Sequence, residues 1–372
     1  MDFAPSDEQR AIQETFRVFA ERELRPAAAE LDRNPRFPRE LFLRAGELGL
    51  FGMRYPEPEG SGADVVSYVL AMEQMARGCL AVAAACAMQS LMGTVFVQRF
   101  APPDVRERLL PGALRGEIVG AICMTEPDAG SDLMAMTTRA VERNGRHHLS
   151  GAKTWVTSAH DAAMFTVLAR TGEKSLSVFL VEAGATGLSI GKDIDKCGVR
   201  ASLTSEVCFD DTPATCLLGE KDAGGAYLKE VLAEIRVMTA ALALGVAGAA
   251  FDEALTYSGE RRQFGRPIRD FQAVQAHLAE MAVDLEAARR ITYWAACRSD
   301  QGLRNENESA MAELFASEAA LRVCDRAARV LASYGYASEY PVERYLRDVR
   351  FTLIGGGTSE ILRGAIARGL WT

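Results

Sequence analysis

The sequence predicts a multidomain α+β protein built in the order helices, sheet, helices. Three observations carry this reading. Residues 1–117 repeat apolar side chains at helical spacing, as at Val65, Val69, Met72 and Met75. From about 118 to 222 the texture changes to short runs rich in Val, Thr, Phe and Ile, separated by Gly and Asp turns. Beyond 223 the helical patterns at 226–258, 268–299 and 306–335 are each too long for strands. A chain of 372 residues exceeds one ordinary compact core, and domains at 1–117, 118–222 and 223–372 fit its length.

In the first segment, loops such as "RYPEPEGSGAD" (54–64) separate the helices. In the second, "TWVTSA", "MFTVLAR", "LSVFLVE" and "TSEVCFDD" read as strands, the last with Val207 and Phe209 on one face and Glu206 and Asp210 on the other. In the third, Ile268, Phe271, Val274, Leu278, Met281 and Leu285 mark one apolar stripe, as expected of a helix in a four-helix bundle.

A net charge of −8 argues against general nucleic-acid or anionic-membrane binding, so an anionic ligand has to be held by local arginines and backbone amides. The apolar stretches 79–97 and 237–251 are rich in Ala and Gly and read as buried core helices rather than membrane spans. The N-terminus lacks the basic and apolar regions of a signal peptide, which with eight scattered cysteines points to a reducing cytoplasm. With four histidines and no Cys-x-x-Cys pair, no metal spacing appears.

The chemistry-bearing signals are local. "CMTEPDAGSD" (123–132) places Thr125, Ser131 and backbone amides in a polar loop after an apolar strand. In "GAKTWVTSA" (151–159) alternation puts Trp155 and Thr157 on one face, an aromatic plate beside a hydroxyl that suits a flat heterocycle. A lone strand tryptophan is more often plain core. "TLIGGGTSEILRG" (352–364) sets three glycines before a helix that Thr358 or Ser359 can cap, and a helix N-terminus suits an anionic group.

Together with "ERRQFGRPIRDFQAVQAHLAEM" (260–281), "YASEYPVERYLRDVR" (336–350) and "GGTSEILR" (356–363), these motifs stand in the order and spacing of the acyl-CoA dehydrogenase family, which the chain resembles over essentially its full length. The resemblance implies FAD held non-covalently between the β domain and the C-terminal bundle, in a homotetramer built as a dimer of dimers. By that resemblance Thr125 bonds the pyrimidine side of the flavin, Ser131 lies near its phosphates, Trp155 stacks on the ring system and Thr157 bonds the N5 region. Arg261 and Phe264 contact the pyrophosphate and adenosine from a neighbouring subunit, Thr358 and Glu360 complete the cofactor site, and Arg236 stands close to the reacting centre. Implied partners are an acyl-CoA or acyl-carrier-protein thioester and an electron-transfer flavoprotein or flavin reductase.

The chain departs from that pattern where the base is expected. In most of the family a glutamate two residues before the threonine matching Thr358 abstracts the α-proton; here that residue is Gly356. A smaller subgroup carries the base just before the bundle arginine; here that residue is Ile235, with Glu234 one position off and turned by about 100° around the helix. A missing base costs about 10² to 10⁴ in rate. Two readings follow: α,β-dehydrogenation with a substitute carboxylate such as Glu234, or flavin-dependent oxygenation of a thioester that needs no deprotonation. Desulfination, which in the family uses an arginine and a glutamine where Ala84 and Ile235 stand, is disfavoured, and a non-catalytic flavin-binding partner is the remaining alternative. A second departure is "RVLASYGY", where Arg329, Ala332 and Ser333 stand for the glutamine and Gly-Gly pair that the family often sets under the pyrophosphate; cofactor binding is expected to be retained, with Arg329 adding charge there.

Overall fold

The computed structural model describes residues 4–371. Seven helices open the chain: α1 (Asp7–Phe19), α2 (Arg25–Arg33), α3 (Arg39–Glu47), α4 (Val65–Gly78), α5 (Leu80–Met88), α6 (Val95–Phe100) and α7 (Pro103–Leu114). Each boundary has a local cause. Ser6 and Gln9 form a reciprocal capping box on α1, the Asp64 side chain caps α4, and Pro103 sits at the first position of α7.

The central segment is an eight-stranded sheet. Its strands are β1 (Val119–Cys123), β2 (Arg139–Arg143), β3 (Arg146–Thr157), β4 (Ala162–Arg170), β5 (Leu176–Glu182), β6 (Leu188–Asp193), β7 (Thr204–Pro213) and β8 (Cys216–Leu218). The order is β6-β7-β3-β2-β4-β5-β8, with β1 added parallel to β4. Phe165, Phe179, Val207 and Phe209 form a core of the sheet domain's own. Alternation in β7 is as the sequence predicts: Val207 and Phe209 are buried, Glu206 and Asp210 exposed.

The C-terminal segment packs α8 (Gly224–Glu260), α9 (Gln272–Asp300), α10 (Glu306–Leu331), α11 (Val342–Asp348) and α12 (Ser359–Gly369), with a short hairpin of β9 (Arg262–Gln263) and β10 (Arg266–Pro267) between α8 and α9. α8 is the central pillar, contacting α4, α9 and α10. Two apolar stretches, Leu80–Phe100 and Gly224–Glu260, are long enough to cross a membrane, but 94% and 83% of their most apolar windows lie buried inside the protein, as in core helices of a soluble fold. Among the described residues no cluster of His, Cys, Asp and Glu is arranged to hold a metal.

Candidate active site

The β-domain half of the site is fixed by a buried ion pair. Lys153 in β3 is fully buried and donates to Glu126 Oε1 (3.0 Å) and to the Met124 carbonyl (3.0 Å). Burial alone raises the Glu126 carboxyl, but hydrogen bonds from Thr137, Thr138 and Lys153 bring it down to about 2, so it is ionised. This pair pins the loop that carries Thr125 and Ser131 against β3, and the Thr154 amide donates to the Thr125 carbonyl at 2.8 Å. Thr125 is thereby set beside the strand that presents Trp155.

Trp155 does not sit in plain alternation. The register with β7 slips between Lys153 and Val156, and Trp155 takes φ +58° and is 56% exposed. A bulky aromatic in the left-handed region is costly, and such strain clusters where a ligand is clamped. The bulge turns Trp155 away from the sheet core, and Thr157, two residues on, is half-buried. An exposed indole next to the Thr125 loop fits the seat of a flat heterocycle. Ser131 is exposed on the same loop.

On the bundle side Phe264 is 93% exposed with φ +50°, on the turn between β9 and β10. The Arg261 guanidinium lies 6.0 Å from the Tyr334 ring centre, beside the Tyr257, Tyr334 and Tyr340 cluster. Arg329, expected to add charge under a pyrophosphate, is paired with Asp325 on an exposed face (2.8 Å). Ala332 takes φ +52°, a conformation that favours glycine. At the head of α12 Thr358 is the cap, accepting from the Ile361 amide at 3.3 Å, and Glu360 projects into solvent from the first turn.

The three glycines have separate steric causes. A Cβ on Gly355 would meet the Phe351 ring at 2.6 Å, and one on Gly357 would touch Leu362 at 3.3 Å. One on Gly356 would collide with the carboxyl of Glu313 from α10, 2.9 Å from its Cδ and 3.0 Å from Oε2. The place where a side chain at 356 would begin is already filled by a carboxyl from another helix.

Glu313 is the residue that sequence reasoning missed. It is fully buried and neither carboxyl oxygen completes a hydrogen bond. Burial pushes its carboxyl up to about 8, partly opposed by Arg236 on α8 and by the nearby amides of Gly356 and Gly357. It is therefore mostly protonated at neutral pH. Arg236 is half-buried, its Nε has no acceptor, and its one bond is a long one from Nη1 to the Glu306 carbonyl (3.3 Å). The available sequence signal was a glutamate standing on the buried stripe of α10, in line with Ala316 and Ala320.

Glu234, expected as a substitute base, is placed differently. Its carboxylate is held by Arg54, in a close ion pair, and by Arg99 at 2.9 Å. Burial raises its pKa, but the two guanidiniums win and hold it below the usual range. Both oxygens are occupied and the group is a weakened base, which argues against proton abstraction by it. Ile235 is buried and carries no carboxylate toward Arg236. Gly356 and Ile235, the two positions where the resemblance leads one to expect a base, thus bear no carboxylate.

A bundle packed on a sheet domain, an exposed tryptophan at a strand bulge, a hydroxyl-bearing loop beside that strand and a capped helix after a glycine turn fit a flavin-dependent oxidoreductase of acyl thioesters. The chain belongs to the acyl-CoA dehydrogenase family: it matches the N-terminal domain over residues 6–117, the middle domain over 121–212 and the C-terminal domain over 222–371. It is 54% identical over 373 residues to benzylmalonyl-CoA dehydrogenase of Aromatoleum aromaticum, covering 99% of each chain. Among solved structures it superposes on butyryl-CoA dehydrogenase of Megasphaera elsdenii with a TM-score of 0.97, 33% identity and complete coverage of both chains (100% each). It superposes on glutaryl-CoA dehydrogenase in complex with glutaryl-CoA with a TM-score of 0.96 and 34% identity, over 100% of this chain and 97% of the other. The protein is accordingly an FAD-dependent oxidoreductase acting on acyl-CoA thioesters by dehydrogenation, and nothing in these likenesses supports oxygenation.

Proposed function

We propose that the substrate is a 2-carboxyacyl-CoA with a bulky, aryl-bearing acyl group, of the benzylmalonyl type, and that loss of its carboxyl group takes the place of α-proton abstraction. The observation that carries this is that, among the described residues, no free ionised carboxylate stands where a base is expected: Gly356 and Ile235 bear none, Glu234 is held by two arginines, and burial keeps the Glu313 carboxyl beside Gly356 mostly protonated. A carboxyl on the α-carbon removes the need for one. When its bond to that carbon breaks, CO₂ departs and the bonding pair stays behind, as it would after deprotonation. That pair forms the double bond as hydride leaves the β-carbon, and the products are the enoyl thioester and CO₂. FAD, when bound, supplies the two-electron acceptor. The 54% identity to a benzylmalonyl-CoA dehydrogenase supports the substrate class.

Thr125, Ser131, Trp155, Thr157, Arg261, Phe264, Thr358 and Glu360 are the residues that would hold FAD. The exposed Trp155 and Phe264 support this, since large aromatics left uncovered in a strained conformation mark a ligand or partner surface. Arg329, paired with Asp325, contributes less than its position suggests. The same exposure of Phe264 supports a homotetramer in which the β9–β10 turn reaches a neighbouring subunit. An electron-transfer flavoprotein or flavin reductase as redox partner, a cytoplasmic location, CoA rather than a carrier protein as acyl carrier, and domain boundaries at 117/118 and 222/223 complete the reading.

The test is anaerobic bleaching of the bound flavin. Benzylmalonyl-CoA is expected to bleach it with one CO₂ released per flavin reduced, while 3-phenylpropionyl-CoA, which has the same carbon chain without the carboxyl, reduces it at least about 100-fold more slowly. Equal rates with the two thioesters would falsify the proposal.

A further inference from the structure

Two side chains that carry buried, unsatisfied polar atoms lie close enough to act on each other by charge. On α8 the Arg236 Nε has no acceptor; on α10 both oxygens of Glu313 lack a partner. They do not pair with each other: Arg236 acts on Glu313 by charge, but no ion pair joins them. Unpaired buried polar atoms each cost about 1–3 kcal/mol, a cost that a bound group of the right polarity relieves. Gly356 lies directly over Glu313, and the loop 355–357 that covers it presents no side chain, so only backbone separates the carboxyl from the outside of the loop.

We infer that Arg236 and Glu313 form a subsite for the carboxylate on the substrate's α-carbon, with Arg236 donating from its guanidinium and Glu313 donating from its carboxylic acid. The inference rests on the 2-carboxyacyl reading above. The pair is complementary to an anion at neutral pH because one member is cationic and the other is a neutral donor. An ionised carboxylate at 313 would repel the same ligand. The charged groups around Glu313 set this state. From α8 it faces Arg236, from the glycine loop only the amides of 356 and 357, and no other titratable side chain among the described residues perturbs it. Glu306 on α10 and Arg368 on α12 act on Arg236 instead. The departing CO₂ is neutral, so these contacts weaken as the reaction proceeds. The subsite selects the carboxylated thioester and orients it; it does not accelerate the bond breaking. Reaching Glu313 requires the glycine loop to yield, which its lack of side chains permits.

The test uses malonyl-CoA and acetyl-CoA, which differ only in the α-carboxylate and carry no β-carbon hydrogen, so neither can be oxidised. Affinities of the FAD-loaded protein are read by titration calorimetry. At pH 7 malonyl-CoA is expected to bind at least about tenfold tighter, the effect of one charge-assisted contact. The preference should shrink to about threefold or less at pH 9, as Glu313 ionises. Glu313→Gln, a neutral donor at every pH, should keep the preference at pH 9. Equal binding of the two ligands at pH 7, or a preference in the unmodified protein that does not change between pH 7 and 9, overturns the inference. So does Glu313→Gln losing the preference at pH 9 as the parent does. If the preference is found but benzylmalonyl-CoA fails to bleach the flavin, the subsite stands and the proposed reaction falls. If benzylmalonyl-CoA is oxidised without any preference for malonyl-CoA, the reaction stands and the subsite falls.

Discussion

At the scale of single residues, the exchange between positions 356 and 313 decides what engineering can do. Placing a glutamate at 356 looks from the sequence like restoration of the family's base. The structure shows that its Cβ would land 2.9 Å from the Glu313 carboxyl carbon, with a second acid forced against the first. Gly356→Glu alone is expected to lose about 2–4 kcal/mol of stability and to gain no oxidation of 3-phenylpropionyl-CoA. Gly356→Glu with Glu313→Ala removes the obstruction and should show both a recovered melting temperature and measurable flavin bleaching by that thioester. A single variant as stable and active as the double would mean that Glu313 does not occupy the space. Glu313 also makes a pH prediction. Its folded pKa lies near 8 and its unfolded value near 4.5, so the native chain holds a proton that the unfolded chain has released between those values. Stability attributable to this group is full below pH 4.5, falls as pH rises through that window, and levels off above 8. Glu313→Gln should therefore match the parent at pH 4.5 and exceed it by an amount of order 3 kcal/mol at pH 7–8, read by denaturant titration. A constant offset across that range would show that burial does not shift the acid.

At the scale of elements, the sequence is most legible where period and burial agree. The alternation of Val207 and Phe209 in β7 and the stripe through Met281 and Leu285 in α9 are each read from one local pattern, because one buried face specifies each. The loop that carries Thr125 and the strand that carries Trp155 are legible as elements for the same reason, since each lies in one locally patterned segment. What was not legible depends on contacts between distant elements. Glu313 and Gly356 are forty-three positions apart, and only the packing of α10 against the glycine loop makes one explain the other. The pairing of Glu234 is hidden for the same reason: its partners Arg54 and Arg99 come from the N-terminal helical segment. The end of α10 shows a third case. Ala332 closes that helix with φ +52° and ψ −124°, where a Cβ is strained. Strain there costs about 1–3 kcal/mol, of which added unfolded-state freedom returns up to about 1 when glycine is introduced. Ala332→Gly is expected to raise stability by about 1 kcal/mol and to leave the α10 terminus unchanged. A lowered melting temperature would show that the neighbouring 3₁₀ turn absorbs the strain.

At the scale of the whole molecule, Arg347 ties the three segments together. Its guanidinium meets Asp32 on α2 (2.6 Å), the Cys197 carbonyl in the β segment (2.9 Å) and Glu343 on its own helix, α11 (2.8 Å). The next residue, Asp348, is buried and accepts from the Val199 amide at 2.6 Å, so two consecutive side chains of α11 grip the same β loop. Gly198 lets them do so, because a Cβ there would press on the Arg347 backbone carbonyl. A planar donor with five N–H groups suits such a junction, where three acceptors come from different directions. Most other ion pairs here lie on exposed faces and contribute little each. Arg347→Met keeps much of the side chain's length and removes every one of these bonds. It leaves Asp32 and the Cys197 carbonyl without their partner, and since Arg347 is about 30% exposed, water softens the loss to about 1–3 kcal/mol. The loss falls on the contacts between segments rather than within any one of them. Calorimetry of Arg347→Met is therefore expected to show a lower, broader transition that resolves into more than one step, while the parent melts in one. A single sharp transition shifted uniformly downward would show that α8, which touches all three segments, is enough to couple them without Arg347.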